Sequence, residues 1–205
     1  MGQVVANPGV DAPAEFTAAV ASMHAARLRP EIFCEDMPAP QRIAPFASAL
    51  SADVTVDEEE VATGRLILLH DPAGNEAWGS SNGGNGTFRC VAYARAEIDL
   101  DLVADPMVGS VGWSWLTEAL ESHGAGYVAA SGTVTRVATE SFGGMAGEEG
   151  TAQLEVRASW TPTMDANFSI TSHVEAWAEL LCTAAGLPPV PEGVATLPNR
   201  RGQRG

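Results

Sequence analysis

The stretch Thr87-Phe-Arg-Cys-Val-Ala-Tyr-Ala-Arg-Ala-Glu-Ile98 decides how this chain is read. Phe88, Cys90, Ala92, Ala94 and Ile98 fall on one side of an extended backbone, with Thr87, Arg89, Tyr93, Arg95 and Glu97 on the other. Such period-two alternation marks a strand with one face toward a core and one toward solvent. The pattern returns at residues 151–161, where Leu154, Val156, Ala158 and Trp160 alternate with Gln153, Glu155, Arg157 and Ser159. Residues 127–140 are also strand-like, and the glycine-rich run 143–150 between the two predicts a hairpin. Upstream, the apolar run Leu66-Ile-Leu-Leu69 within 65–70 reads as a buried strand, and 46–56, ambiguous between helix and strand, is assigned as a strand. Asp57, Glu58, Glu59 and Glu60 between them predict an exposed turn. Asp71-Pro-Ala-Gly74 ends the 65–70 strand, and a long loop rich in Gly, Asn and Ser is expected to run to Gly86.

Three helices complete the pattern. The first is expected over 13–29, with Pro13 in its first turn, Phe16, Val20 and Met23 on one face, and Arg27 and Arg29 near its C-terminal dipole. The second, over 107–123, carries Val108, Val111, Trp115, Leu116, Ala119 and Leu120 on its apolar face and ends at Gly124, with Trp113 pointing off that face. The third, over 171–185, opens on a Ser172-x-x-Glu175 capping box and ends at Gly186. The order helix, three strands, helix, two strands, helix predicts an α+β fold: a largely antiparallel sheet of about five strands with three helices mainly on one face. Residues 11–187 are expected to form a single domain, 1–10 a disordered N-terminus, and 188–205 an irregular proline-containing tail with a basic end.

Composition narrows the function. With 205 residues, 45 % hydrophobic and 18 % charged, the chain is long enough to bury about 70 % of its unfolded surface without a staple. The net charge is −15, and three of the eleven basic residues (Arg200, Arg201, Arg204) lie in the last six positions, leaving eight for the body. A surface this acidic repels phosphate backbones and anionic lipid, so neither nucleic acid nor membrane is an expected partner. The chain has no lysine, which removes Schiff-base chemistry, the phosphate-loop lysine and lysine general bases. Cys34, Cys90 and Cys182 form no Cys-x-x-Cys pair and read as buried thiols of a reducing cytoplasm.

The remaining motifs are thin. Gly79-Ser80-Ser81-Asn82-Gly83 matches Gly-x-Ser-x-Gly, but it leads into a strand, where a nucleophile elbow needs a strand-to-helix turn. His70 and Asp71 at a strand end, with Glu76 nearby, are candidate metal ligands, though no second spaced histidine supports them. Cys90 beside His70 would make a thiol–imidazole pair only in one strand register. Neither glycine-rich loop has a phosphate-binding pattern, so no metal, flavin or nucleotide cofactor is expected. Large apolar residues at positions the pattern leaves off the core, Trp78, Trp113, Phe142 and Met145, are candidates for a partner surface.

Arg65-Leu-Ile-Leu-Leu-His-Asp-Pro-Ala-Gly74, Val111-Gly-Trp-Ser-Trp-Leu-Thr-Glu-Ala-Leu120, Ser131-Gly-Thr-Val-Thr-Arg-Val137 and Glu175-Ala-Trp-Ala-Glu-Leu-Leu-Cys-Thr-Ala-Ala-Gly-Leu-Pro-Pro189 resemble an uncharacterised actinobacterial family, domain of unknown function three thousand. The resemblance covers about 13–197 and implies no activity, cofactor or catalytic residue. The element order is also similar to that of small acidic secretion chaperones, which are homodimeric and bind extended segments of other proteins. The expectation is a non-enzymatic protein-binding or assembly module of the bacterial cytoplasm, acting as a homodimer or on a protein partner. The alternative is a metal-assisted hydrolase or other small-molecule enzyme using His70 and Asp71.

Overall fold

The computed structural model describes residues 5–6, 12–80, 84–163 and 168–189. Most of the two terminal segments expected to be irregular, and Ser81, Asn82 and Gly83 of the Gly-x-Ser-x-Gly motif, lie outside these.

The alternating stretch is a strand, and it lies in the middle of a seven-stranded sheet in which every pairing is antiparallel. In chain order the elements are β1 (Val5–Ala6), α1 (Ala14–Met23), β2 (Ile32–Met37), β3 (Phe46–Val56), β4 (Glu59–Ser80), β5 (Gly84–Ile98), α2 (Leu100–Val103), α3 (Val108–Ser122), β6 (Tyr127–Thr139), a 3₁₀ turn (Gly143–Met145), β7 (Thr151–Pro162) and α4 (Thr171–Ala184). The sheet runs β1-β3-β4-β5-β7-β6, with β2 also on β3. The β6–β7 hairpin therefore inserts β7 between β5 and β6, and β6 forms an edge.

Asp57 and Glu58 form the β3–β4 turn, both with positive φ (50° and 71°). A two-residue hairpin turn with left-handed central residues matches the twist of the strands it joins. The expected turn is there, but Glu59 and Glu60 already belong to β4. Beyond His70 the expected loop is instead a continuation of the hairpin: β4 and β5 go on pairing at Asn75–Gly86 and Ser80–Gly84, with register shifts on either side of Asn75. Pro72 has no N–H to give a ladder and Gly74 takes a positive φ of 77°, so the strand passes them as a bulge instead of ending.

Leu66, Leu68, Phe88, Cys90, Val156, Trp160, Leu50 and Val54 point to one face, where they pack with Phe16 and Met23 of α1, Leu116 and Leu120 of α3, and Trp177, Leu180 and Leu181 of α4. The three long helices cover this one face, as the pattern predicts. Close approach is made possible by missing side chains. A Cβ on Gly64 would lie 2.7 Å from Leu181 Cδ2, and one on Gly112 3.0 Å from Leu154 Cδ2, so α4 and α3 rest almost directly on β4 and β7.

Three local expectations are corrected. The first helix stops at Met23, not Arg29, because the chain beyond it is held by other elements: Arg27 N–H donates to Glu175 Oε1 (2.9 Å) and Arg29 Nη1 to the Pro188 carbonyl (2.8 Å). The Ser172–Glu175 capping box does not form. Instead α4 begins at Thr171, and its first donors are taken from outside: Ile170 N–H donates to Ser22 Oγ (2.8 Å) and Thr171 N–H to Ser169 Oγ, while Thr171 Oγ1 donates to the Ser22 carbonyl. Finally, β1 and β2 extend the sheet to seven strands. The acidic Phe33-Cys-Glu-Asp36 conceals β2, a half-exposed edge piece that pairs with β3 from Ile32–Val54 to Met37–Ala49.

Candidate functional site

The opposite face of the sheet carries no helix, and register dictates its chemistry. Arg65, Tyr93, Arg157 and Thr133 form one row across β4, β5, β7 and β6; Ile67, Val91, Ser159 and Ser131 form the next. These residues line an open groove of about 670 Å³. At one end it is closed by a small second core, in which Trp78, brought round by the β4–β5 extension, packs with Ala39, Ala47, Ala49 and Leu69 against Ile67 and Val91.

In the next row of the same face, past Val91 and Ser159, lies Arg89, only 7 % exposed. Its Nη1 donates to the Ala129 carbonyl and Thr161 Oγ1 (both 3.0 Å). Its Nη2 donates to Ser159 Oγ (2.7 Å), the Ser159 carbonyl (3.2 Å) and Ser131 Oγ (3.3 Å). All five bonds end on neutral oxygens, so among the described residues this buried cation has no carboxylate partner. Burial pulls its pKa below the ordinary arginine value, but a guanidinium stays protonated in a protein. The cradle itself is strained: Ala129 has φ 52° at the register shift between Val128 and Ser131. The bulge aims the Ala129 carbonyl at Arg89, a conformation that an alanine adopts at a cost of about 1–2 kcal/mol.

Two rows away on the same face, the Arg157 guanidinium lies 5.3 Å from the centre of the Tyr93 ring and 2.8 Å from Glu155 Oε2, while Tyr93 Oη donates to Glu155 Oε1 (3.2 Å). Burial, and after it the Glu155 carboxylate, raises the Tyr93 pKa. Arg65 is exposed, with no hydrogen-bond or ion-pair partner among the described residues.

The residues singled out from sequence do not meet in one site. His70 is fully buried on the helix-covered face, between Phe16 and Phe88 (ring centres 5.7 and 4.2 Å away). Its Nδ1 donates to the Thr87 carbonyl (2.9 Å), and Nε2 lies 3.1 Å from Glu15 Oε1 without the alignment of a hydrogen bond. Asp71, the next residue on the strand, turns the other way, and its Oδ1 accepts the Ala73 N–H in a local turn; Glu76 is exposed. Among the described residues no three His, Cys, Asp or Glu side chains converge as a metal site would require.

Cys90 does share His70's face, diagonal to it across the β4–β5 ladder, but burial pushes its thiol strongly upward. Burial likewise holds Cys34 at about 11 and Cys182 at about 12, so no cysteine is a ready thiolate. Trp78 is nine-tenths buried in the second core. Trp113 is half-buried and lies over β6, where a Cβ on Gly132 would come within 2.6 Å of its ring. Phe142 and Met145 are exposed, at 76 % and 55 %, in the β6–β7 connection, and belong to neither core cluster that holds Trp113 or Trp78. The arginine groove was missed. Its signal was the placement of Arg89, Arg95 and Arg157 at outward strand positions in a chain poor in basic residues.

Among the described residues no helix is long and apolar enough to cross a membrane. Neither a curated protein nor a solved structure matches the chain. The model of a family described as proteins of unknown function, DUF3000, matches residues 12–195, and the chain belongs to that family.

Proposed function

We propose that this chain is a non-enzymatic protein-binding module that holds an extended segment of a partner in the groove on the helix-free face of its sheet. One observation carries the reading: a groove of about 670 Å³ on an uncovered sheet face, lined by exposed arginine, hydroxyl and apolar side chains and ending at the edge strand β6. Sheet faces and edges of this type receive extended chains through alternate side chains and backbone groups. The lining includes no histidine or carboxylate that would take a proton from Ser131 or Ser159, and both hydroxyls already accept from Arg89. Nucleophilic chemistry therefore lacks its base, whereas binding needs only the donors and surface present.

The test is selection of peptides from a random displayed library on the immobilised full chain, followed by affinity measurement in solution. Thr133 is exposed on the edge strand, so Thr133→Trp fills the groove at little cost to the fold, within about 0.5 kcal/mol. The expected result is a set of peptides whose affinity falls about tenfold or more, a loss of roughly 1.4 kcal/mol, with Thr133→Trp. Recovery of no peptides, or of peptides indifferent to this substitution, overturns the proposal.

A further inference from the structure

We propose that the segment bound in the groove is acidic, its carboxylates received by Arg65 and Arg157 on either side of Tyr93. This rests on the reading of the groove as a protein-binding face and names the chemistry of its occupant. The chain has 26 acidic residues, yet none lines the groove. The nearest, Glu155, borders it and is engaged by Arg157 and Tyr93. Arg157 nevertheless keeps 58 % of its side chain exposed, and Arg65 is exposed and unpaired among the described residues. Arg89, in the row beside Ser131 and Ser159 on the same face, bonds no carboxylate among the described residues, so that end of the groove is positive where the dielectric is low. Ser131 and Ser159 accept from Arg89 through their oxygens. With their oxygens 3.5 Å apart, at most one hydroxyl proton is spent between them, which leaves an O–H to donate to an incoming anion.

Spacing accommodates a chain with more than one acidic side chain. Arg65 and Arg157 stand two strands apart on either side of Tyr93, about 10 Å between their backbones, so each can receive its own carboxylate. An extended segment advances about 3.3–3.6 Å per residue and turns alternate side chains to one face, so acidic residues two or four apart, about 7 or 14 Å, come within reach of the two arginine side chains. The net charge of −15 does not defeat this, because carboxylates more than about 8 Å from the groove are screened at physiological salt.

The experiment measures binding of fluorescein-labelled hexaglutamate and hexaglutamine to the full chain by anisotropy, at low and high salt. Hexaglutamate is expected to bind, to weaken with salt, and to lose about tenfold in affinity or more with Arg65→Gln and Arg157→Gln together. Both positions are exposed, and an unchanged melting temperature confirms that the variant is folded. The charge-reversed Arg65→Glu is expected to abolish hexaglutamate binding. Equal binding of hexaglutamine, or indifference to the arginine variants, overturns the inference. So does inorganic phosphate that competes as strongly, molecule for molecule, as hexaglutamate, since the occupant would then be a free anion. Concentration-dependent self-association abolished by reversing Asp57 and Glu58 also overturns it, by making the occupant the acidic hairpin turn of a second copy. If neutral library-selected peptides bind in a Thr133→Trp-sensitive manner but ignore Arg65 and Arg157, this inference falls and the protein-binding reading stands.

Discussion

His173 should make the protein acid-sensitive in a measurable way. The imidazole is 3 % exposed on α4, and its Nδ1 accepts the indole N–H of Trp160, itself fully buried, at 3.0 Å. An imidazole accepting at Nδ1 is neutral there, and desolvation lowers its pKa from 6.5 to about 4. The unfolded chain, with His173 in water, takes up a proton near pH 6.5, whereas the folded chain does not until about pH 4. Between those values the unfolded state binds more protons, so stability falls as pH falls through that window and is flat with respect to this group outside it. A separation of two to three pH units at 1.36 kcal/mol each amounts to about 3 kcal/mol by pH 4. Urea unfolding of the wild type and of His173→Gln, at steps from pH 7.5 to pH 4, isolates the effect, because the other titrating groups are common to both. Gln retains an acceptor for Trp160 Nε1 but cannot protonate. The difference in unfolding free energy between the two proteins should therefore move by about 3 kcal/mol against the wild type as pH drops. Parallel profiles would refute the assignment of His173 as a buried neutral acceptor.

Two stability predictions test the packing around the groove. Ala129→Gly removes the left-handed strain at the β6 bulge and should stabilise the fold by up to about 1 kcal/mol, with the greater freedom of glycine in the unfolded chain offsetting part of the gain; a destabilisation in urea titrations would mean that the methyl group contributes packing instead. Trp113→Ala should cost about 2 kcal/mol or more, because the ring closes the space over Gly132, whereas Phe142→Ala, at a position 76 % exposed, should shift stability by no more than about 0.5 kcal/mol. Equal melting temperatures for these two variants would return Trp113 to the surface.

The layers of the fold were legible because they follow from local periodicity. Alternation in β5 and β7 assigned each side chain to a face, and the glycines after α3 and α4 take the positive φ that ends a helix (62° at Gly124, 73° at Gly186). What escaped local reading depends on distant contacts. Arg29 favours continuing a helix, but the Glu31 carboxylate and the Pro188 carbonyl hold it elsewhere. Ser172 and Glu175 have the spacing of a capping box, but Ser22 on α1 supplies the acceptor at the start of α4 and Glu175 is drawn to Arg27. Trp113 is off-pattern on its own helix. Only Gly132, on another element, explains where the ring goes.

The groove belongs to this second kind of feature, and its position explains why an acidic chain has a cationic face. Arg65, Tyr93, Arg157 and Thr133 come from four strands and become neighbours only when register is fixed. Four of the eight body arginines, Arg65, Arg89, Arg95 and Arg157, occupy outward positions on β4, β5 and β7. A guanidinium placed there for solubility alone would stand in water, as Arg95 does. Arg89 instead is buried, bonds only neutral oxygens, and is held by a carbonyl that requires a strained Ala129. Two of these features oppose folding, since a buried charge without a counter-ion carries a desolvation cost that its hydrogen bonds offset, and a left-handed alanine is unfavourable. A fold stabilised only by its own contacts would gain from a neutral residue at position 89. Under the proposed reading, a carboxylate held by Arg65 or Arg157 would offset that charge through the low-dielectric field and not by a direct bond. Arg89 shares the sheet face of Arg65, Tyr93 and Arg157, so the proposed reading makes it part of the face that meets the partner, one row from the groove.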